Sequence, residues 1–399
     1  MNQITEPART IPLDSRYDVV VVGGGIAGVS AALAAARTGA KVCLIEKACG
    51  LGGLATLGNV IVYLPICDGE GHQVIGGISE ELIRLAAECG GEIPSVWKSS
   101  HSDQERFGER FEVRFNAPET MLALERLLIE EGVDIWYDTR FSQTEMTDSL
   151  ITSVVVENKS GRIALQTKFV IDATGDADVC AVSGEQTVSL DTNVLSNWFY
   201  YSDNEGLHLV GMTEPFTEDG SQSLKAKRGY AGDNGEDVSS HIIHSHHLVQ
   251  KKMNEIQKIS PEAHLINIPM MPSMRMTRRL VGQQTLSEND SGIVPDDLVG
   301  LCPSWRKVGV VYGVPFSALH GPKVGNLMAA GRCISAEGRL WDMTRVIPIC
   351  ALTGEVAGMA AGLCVADGVG IIQNLPVKQL QNSLVEVGNI LDGNLIRGV

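Results

Sequence analysis

Several things are missing from this 399-residue sequence, and each absence narrows what it can do. Nine cysteines are present (Cys43, Cys49, Cys67, Cys89, Cys180, Cys302, Cys333, Cys350, Cys364), an odd number with no Cys-x-x-Cys pair. Such a set reads as free thiols kept reduced, with the cytoplasm as the expected compartment. No run of about 18 uninterrupted apolar residues occurs, so no membrane span is expected. Residues 1–18 have no apolar core between a basic start and a small-residue cleavage site, and do not read as a secretory signal. Basic residues are few, 32 against 48 acidic ones, and the formal charge of -16 disfavours nucleic acids and acidic lipid surfaces as partners. Internal repeats and low-complexity linkers are also missing, which favours one core fold interrupted by a second domain. Glycine, by contrast, is plentiful at 43 residues without a Gly-X-Y period, a sign of many tight turns.

The first clear pattern is strand, turn, helix, strand. Tyr17 to Val22 is an apolar run suited to a central parallel strand buried on both faces. Ile26 to Thr38 is alanine-rich and ends at Gly39, as a helix does. Lys41 to Ile45 is the next strand. A second helix is predicted over Pro118–Glu131, followed by a strand over Val133–Tyr137. Further on, two strand-like runs (152–157 and 163–173) flank a turn at 158–161. The segment 183–321 is polar and holds most of the histidines. After it, Asn326–Ala330 reads as a strand and residues 349–367 as a glycine-rich helix.

Gly23-x-Gly25-x-x-Gly28 sits between the predicted strand and helix, where a dinucleotide fingerprint belongs. Gly23 permits the turn, Gly25 lets backbone approach a pyrophosphate, and Gly28 lets helix and strand pack closely. The phosphate charge would face free N–H groups at the helix N-terminus. Glu46 follows Gly28 by 18 residues and closes the second strand, where a carboxylate accepts ribose hydroxyls.

These motifs, with the strand-and-turn segments 169–179 (FVIDATGDADV) and 326–335 (NLMAAGRCIS), resemble the two-domain FAD proteins of the glutathione-reductase superfamily. Gly52-Gly53-Leu54-Ala55-Thr56, the stretch 274–282 and the stretch 330–362 are similar to the FAD-dependent oxidoreductases of the FAD_oxidored type. The resemblance runs through most of the chain and is weakest between about 185 and 260. It implies an α/β fold: a Rossmann-like FAD-binding domain, with a parallel sheet, helices and a small antiparallel sheet, interrupted by a mixed α+β substrate domain. The expected segments are 16–78, 118–182 and 322–399 for the FAD-binding domain, 79–117 as an excursion, and 183–321 as the substrate or cap domain.

The resemblance also implies contacts. Gly25, Ile26 and Ala27 would hold the pyrophosphate through backbone amides and Glu46 the adenosine ribose, with Gly23, Gly28 and Lys47 also among the cofactor-binding residues. Gly53, Leu54 and Ala55 would pass beside the isoalloxazine and ribityl chain. Phe141 would touch adenine through its backbone, and Ala173, Thr174 and Gly175 would close over the adenosine side. Gly331 would approach the ribityl chain. Val346 and Ile347 would bring a helix N-terminus to the flavin pyrimidine. Where the superfamily often has Gly-Asp, this chain has Gly331-Arg332, and Arg332 could pair with a phosphate oxygen instead.

Disulfide-reductase chemistry is not expected, because Ala55 and Val60 stand where the redox cysteines of glutathione-reductase relatives would be. Cys67, nearby, could approach the flavin or be an inert buried thiol. Gly50-x-Gly52-x-x-Ala55 fits a second fingerprint on paper but has no strand leading into it, so no NAD(P) domain is expected. Arg345 could clamp a substrate carboxylate or pair structurally with Asp342 or Glu337. His320 has a pKa suited to proton transfer. Arg275, Arg278 and Arg279 invite either an anion or interdomain salt bridges; Arg275 and Arg279 would share a face if the strand runs that far. His241, His244 and His247, with His246 beside them, read as a partly solvated helix face. They lack the companions of a zinc site, and no metal is expected.

The resulting expectation is a cytoplasmic enzyme with non-covalent FAD, transferring hydride between flavin N5 and a small organic substrate, with a diffusing electron donor or acceptor. Alternatives are an NAD-binding protein like the thiazole synthases and a tRNA-modifying flavoprotein of the same superfamily. The substrate, electron partner, reaction direction and oligomeric state are not legible in the sequence.

Overall fold

The computed structural model describes residues 4–98 and 101–398. Five strands make a parallel sheet: β1 (Val19–Val22), β2 (Val42–Ile45), β3 (Asp134–Trp136), β4 (Phe169–Asp172) and β5 (Leu327–Ala329), in the order β5-β4-β1-β2-β3. β1, β2 and β4 are buried along their whole length, one face packing on the helices Ile26–Arg37 and Ile347–Asp367 and the other on Ile151, Val154, Val156 and Leu165 of an antiparallel sheet. The register aligns Val22 with Ile45 and Asp172, and Asp172 with Ala329. The C-terminal ends therefore form one crest, and strand order reverses between β1 and β4, the place where open α/β sheets bind ligands.

The helices that matter for the site are α1 (Ile26–Arg37), α2 (Gly77–Glu88), α3 (Ala117–Glu130), α4 (Asp178–Val182), α5 (Gly235–Ile259), α6 (Gly338–Thr344) and α7 (Ile347–Asp367). The helix predicted to begin at Pro118 starts one residue earlier, capped by the Asn116 side chain. α7 is long and apolar enough, by length and composition, to cross a membrane, yet most of it is buried inside the protein. It lies along α1 through Gly354, Gly358 and Gly362. A Cβ on these glycines would come within 2.1 Å of the Ala27 carbonyl oxygen, 2.1 Å of the Ala31 carbonyl oxygen and 1.9 Å of Thr38 Oγ1. Only glycine admits that approach.

A second sheet joins Leu13–Asp14, Gly161–Gln166, Leu150–Asn158 and Arg140–Thr147. The run 163–173 is therefore not one strand, as its composition suggested. It breaks at Thr167, whose hydroxyl donates to the carbonyls of Asp18 and Phe169, and the chain crosses from this sheet to β4. In the expected substrate segment, Ser196–Asp203, Gly206–Thr213 and His264–Asn267 form an antiparallel sheet. α5 packs on it through Phe199, Val249, Met253 and Ala263. From Leu286 to Leu319 the side chains join the main core with α1 and α7.

Glu355, in the middle of α7, is 1% exposed and accepts the Ile78 N–H at 2.9 Å, capping the first turn of α2. Burial pushes its pKa up to about 7 against those hydrogen bonds. Between the unfolded carboxyl value of about 4.3 and the folded one, the native state binds more protons, so stability falls as pH rises through that window. Urea unfolding should show wild type and Glu355→Gln alike at pH 4, with the variant more stable by about 3–4 kcal/mol at pH 8. Equal stabilities at pH 8 would refute the raised value.

Candidate cofactor and active site

The four valines of β1 end at Gly23, whose φ of +106° turns the chain sharply; a Cβ there would lie 2.5 Å from the Ala173 carbonyl oxygen. Gly25 then caps α1 with φ -67°, and no side chain caps that helix. Its first-turn N–H groups thus have no side-chain acceptor. A Cβ on Gly25 would meet nothing within 4 Å, so the backbone borders open space where a phosphate could sit. A Cβ on Gly28 would fall 1.8 Å from the Gly23 carbonyl oxygen, so turn and helix touch.

Glu46 ends β2 and is 8% exposed. Its Oε2 accepts the Gly24 N–H and its Oε1 the Ala48 N–H, both at 2.7 Å, which fixes the carboxylate beside the glycine turn. Lys47, next in the chain, is exposed. The loop of Gly53, Leu54 and Ala55 docks onto the same turn: Gly52 N–H donates to the Gly24 carbonyl at 2.8 Å, and a Cβ on Gly53 would lie 3.1 Å from Gly25 Cα. At the end of β4, buried Asp172 accepts the N–H and hydroxyl of Thr174 and the Cys180 N–H, shaping the Ala173–Gly175 turn. Gly331, at φ +78°, sits against Ala27, with its N–H donated to Thr353 Oγ1 at 3.0 Å. α7 begins at Val346 without a side-chain cap and with Pro348 in its first turn.

The structure thus gathers Gly23, Gly25, Ile26, Ala27, Gly28, Glu46, Gly53, Ala173 and Gly331 around the end of β1. Phe141 stands beside a pocket it shares with Ser142, Asp178, Ala181 and Arg278. Burial, with Asp176 and Asp172 nearby, raises the Asp178 pKa to about 6. Other expectations need correction. Arg332 does not reach towards a phosphate: its Nε donates to the Gly175 carbonyl at 2.6 Å, its Nη1 to the Met274 carbonyl at 2.8 Å and its Nη2 to Asp176 at 2.7 Å. Arg345 is paired with Asp342, the structural alternative. His320 is 3% exposed, packed edge-on against Phe316, and burial lowers its pKa, which suits a neutral core imidazole.

The arginines of 275–279 do not share a strand, which spans only Arg278–Leu280. Arg278 pairs with Asp178 and Arg279 with Glu337. On α5, His244 and His247 are exposed but His241 turns inward, with Nε2 3.2 Å from the Val194 carbonyl oxygen. Cys67 is buried, and burial pushes its thiol pKa up, away from reactivity. Asp68, Glu70 and His72 lie close enough together to hold an ion, but His72 is bonded to Asp68 and Glu70 is paired with Arg397.

Sequence reasoning missed a hub beside α7. Asp342, 1% exposed, accepts from Arg306 (Nη2 at 2.8 Å) as well as Arg345, and Arg306 also reaches Glu218 at 3.2 Å. Nothing in the spacing of residues 36 apart announces such a pair.

A model of the family described as FAD dependent oxidoreductase matches residues 18–191 and 302–384, the segments that build this crest. The chain belongs to that family. The enzyme accordingly takes FAD, and its open, uncapped α1 N-terminus and buried Glu46 fit that cofactor. Among curated relatives, the FAD dependent oxidoreductase is 27% identical over 177 residues to the digeranylgeranylglycerophospholipid reductase of Picrophilus torridus, covering 41% of this chain and 40% of that one. It is 37% identical over 81 residues to the tRNA uridine 5-carboxymethylaminomethyl modification enzyme MnmG of Lactococcus lactis subsp. lactis, covering 20% of this chain and 12% of that one. These matches thus span well under half of either relative. The solved structure of p-nitrophenol 4-monooxygenase PnpA from Pseudomonas putida aligns over 94% of this chain and 84% of its own, with TM-score 0.51 and 12% identity, a likeness of fold.

Proposed function

We propose that this enzyme moves a hydride between FAD and a small organic substrate held where the segment 190–277 meets α6 and α7. The observation that carries this reading is the convergence of two uncapped helix N-termini, α1 and α7, held side by side by Gly354 and Gly358. FAD supplies the two-electron chemistry, accepting or returning the hydride at N5. The chain does the rest. The N–H groups of Ile26, Ala27 and Gly28 would hold the pyrophosphate, and Glu46 would accept the ribose hydroxyls. Gly53, Leu54, Ala55 and Gly331 would leave room for the ribityl chain. The start of α7 would favour negative charge on the pyrimidine side. Phe141 and the Ala173–Gly175 turn would border the adenosine.

A diffusing donor or acceptor would complete the cycle, since the sequence has no second dinucleotide fingerprint preceded by a strand. Nine free cysteines support a reducing compartment, and the charge of -16 speaks against a nucleic-acid or membrane partner. The purified protein should show the two visible bands of oxidised flavin, bleached anaerobically by its substrate. A protein that stays colourless after incubation with FAD would sink the proposal. Glu46→Ala should lower FAD affinity by about 10- to 100-fold, the loss of a hydrogen bond to a charged acceptor. Unchanged flavin content in that variant would remove Glu46 from the site.

A further inference from the structure

Three guanidinium groups, Arg275, Arg306 and Arg345, crowd the corner beside α6 and α7, in a chain otherwise rich in acid. Two carboxylates answer them. Asp342 takes Arg345 and Arg306, and Glu218 takes Arg306 again. Among the described residues no carboxylate pairs with Arg275. Its guanidinium stacks over the Phe216 ring, 4.1 Å from the centroid, and its Nη2 donates to Thr213 Oγ1 at 3.2 Å. Stacking fixes the plane of the fork and Thr213 one corner of it. Nε and Nη1 meet no acceptor among the described residues. A half-buried cation with an open donor edge is costly unless something anionic meets it.

The backbone around Arg275 is held in place. Asn193 Oδ1 accepts the N–H groups of Arg275 and Met276, and its Nδ2 donates to the Met276 carbonyl. The preceding carbonyl, of Met274, accepts from Arg332, the neighbour of Gly331 in the cofactor crest. Earlier in the same strap, the Met270 N–H donates to Leu57 O, just past the Gly53–Ala55 turn. Thr192, Phe216, Thr217, Ser221 and Arg275 line a cleft of about 20 Å³ here, room for a carboxylate head with the rest of the molecule outside it; the Thr192 and Thr217 hydroxyls and the Asn193 amide are held by backbone groups, which leaves the guanidinium as the donor.

We propose that the substrate of this oxidoreductase is a small organic acid, and that Arg275 binds its carboxylate in this pocket. The inference rests on the reading of the enzyme as a hydride-transferring flavoenzyme. A planar guanidinium with one free edge matches a carboxylate through two parallel hydrogen bonds, and the rigid strap orients the bound acid relative to the crest. Arg345, which the sequence offered for the same task, is neutralised by Asp342. Burial and the neighbouring Arg345 lower the Arg275 pKa to about 10, which leaves it charged at neutral pH.

The test uses the FAD-loaded enzyme and two probes of one shape, benzoate and its neutral amide, benzamide. Benzoate should perturb the visible flavin spectrum saturably at neutral pH, and benzamide at least about tenfold more weakly, because only benzoate forms a charged hydrogen-bonded pair. Arg275→Gln should weaken benzoate by about 10- to 100-fold with FAD content unchanged, and Arg275→Lys should recover part of the loss. Equal response to the two probes, or full benzoate affinity in a folded Arg275→Gln enzyme, overturns the proposal. So does a response to inorganic phosphate without one to benzoate. If Arg275→Gln loses FAD, the benzoate-to-benzamide ratio in wild type and in Arg275→Lys decides instead. A wild-type enzyme that binds no flavin fails the functional reading itself, which the spectrum before any probe reveals.

Discussion

Gly25→Ala should leave the apoprotein as stable as wild type while costing it much of its affinity for FAD. The backbone there already has dihedrals that alanine adopts freely, and the added methyl meets no protein atom within 4 Å. It occupies the space the phosphates need, pushing them off the N–H groups of α1. Loss of one such charged hydrogen bond, ~1.5–3 kcal/mol, predicts about 10- to 150-fold weaker binding. Gly28→Ala should fail differently. Its methyl would stand 1.8 Å from the Gly23 carbonyl oxygen, so α1 must back away from the strand or the turn must open. Overpacking of that kind costs ~1–3 kcal/mol or more, and the apoprotein itself should melt lower. Thermal melts of the two apoproteins, beside FAD titrations followed by flavin fluorescence, separate the cases. Wild-type FAD affinity in Gly25→Ala would mean that the pyrophosphate does not lie over α1.

Asp342→Asn should be the most damaging single exchange outside the cofactor crest. It leaves Arg345 without a counter-charge and Arg306 with only the half-exposed Glu218. Breaking a buried pair from one side costs ~3–5 kcal/mol, because the remaining charges stay buried. Urea unfolding should show a loss of that order. Replacing Arg306, Asp342 and Arg345 together by methionine should restore much of it, since three apolar chains carry no desolvation cost. The single exchange should also tighten benzoate binding, because it removes a negative charge near Arg275. A loss below about 1 kcal/mol would show the hub to be a solvated surface pair.

The crest was legible because its signals are local. A run of valines, a glycine spacing of two and three, and a carboxylate at the end of the next strand each occupy a few residues, and each has one conformational use. α7 was legible for the same reason, from its glycines and apolar residues. What the sequence hid depends on partners far along the chain. Arg332 meets Asp176 across 156 residues and Arg306 meets Asp342 across 36, so neither spacing hinted at a pair. The single run 163–173 concealed a change of sheet, because the hydrogen bonds from Thr167 that divide it cannot be seen in hydrophobicity. His241 and His244 look equivalent on paper. Only the docking of α5 decides that one is buried and the other exposed.

The close seam between α1 and α7 also fixes an offset. Gly354 stands eight residues past the Val346 cap, whereas its contact, Ala27, stands two past the Gly25 cap. The helices run the same way, so α7 begins six residues, ~9 Å at 1.5 Å per residue, ahead of α1. After a slide of one turn two of the three glycine contacts could still form, with Cys350 or Ala366 at the third, so the seam alone fixes that stagger only in part. Two anchors remove the ambiguity: Thr353 receives the Gly331 N–H, and Glu355 receives that of Ile78. The gauge between the two helix ends is therefore set by a pair of polar pins. A protein engineer who wished to lengthen or shorten it would have to move those pins, whereas a new substrate is reached more directly by recasting the strap around Arg275.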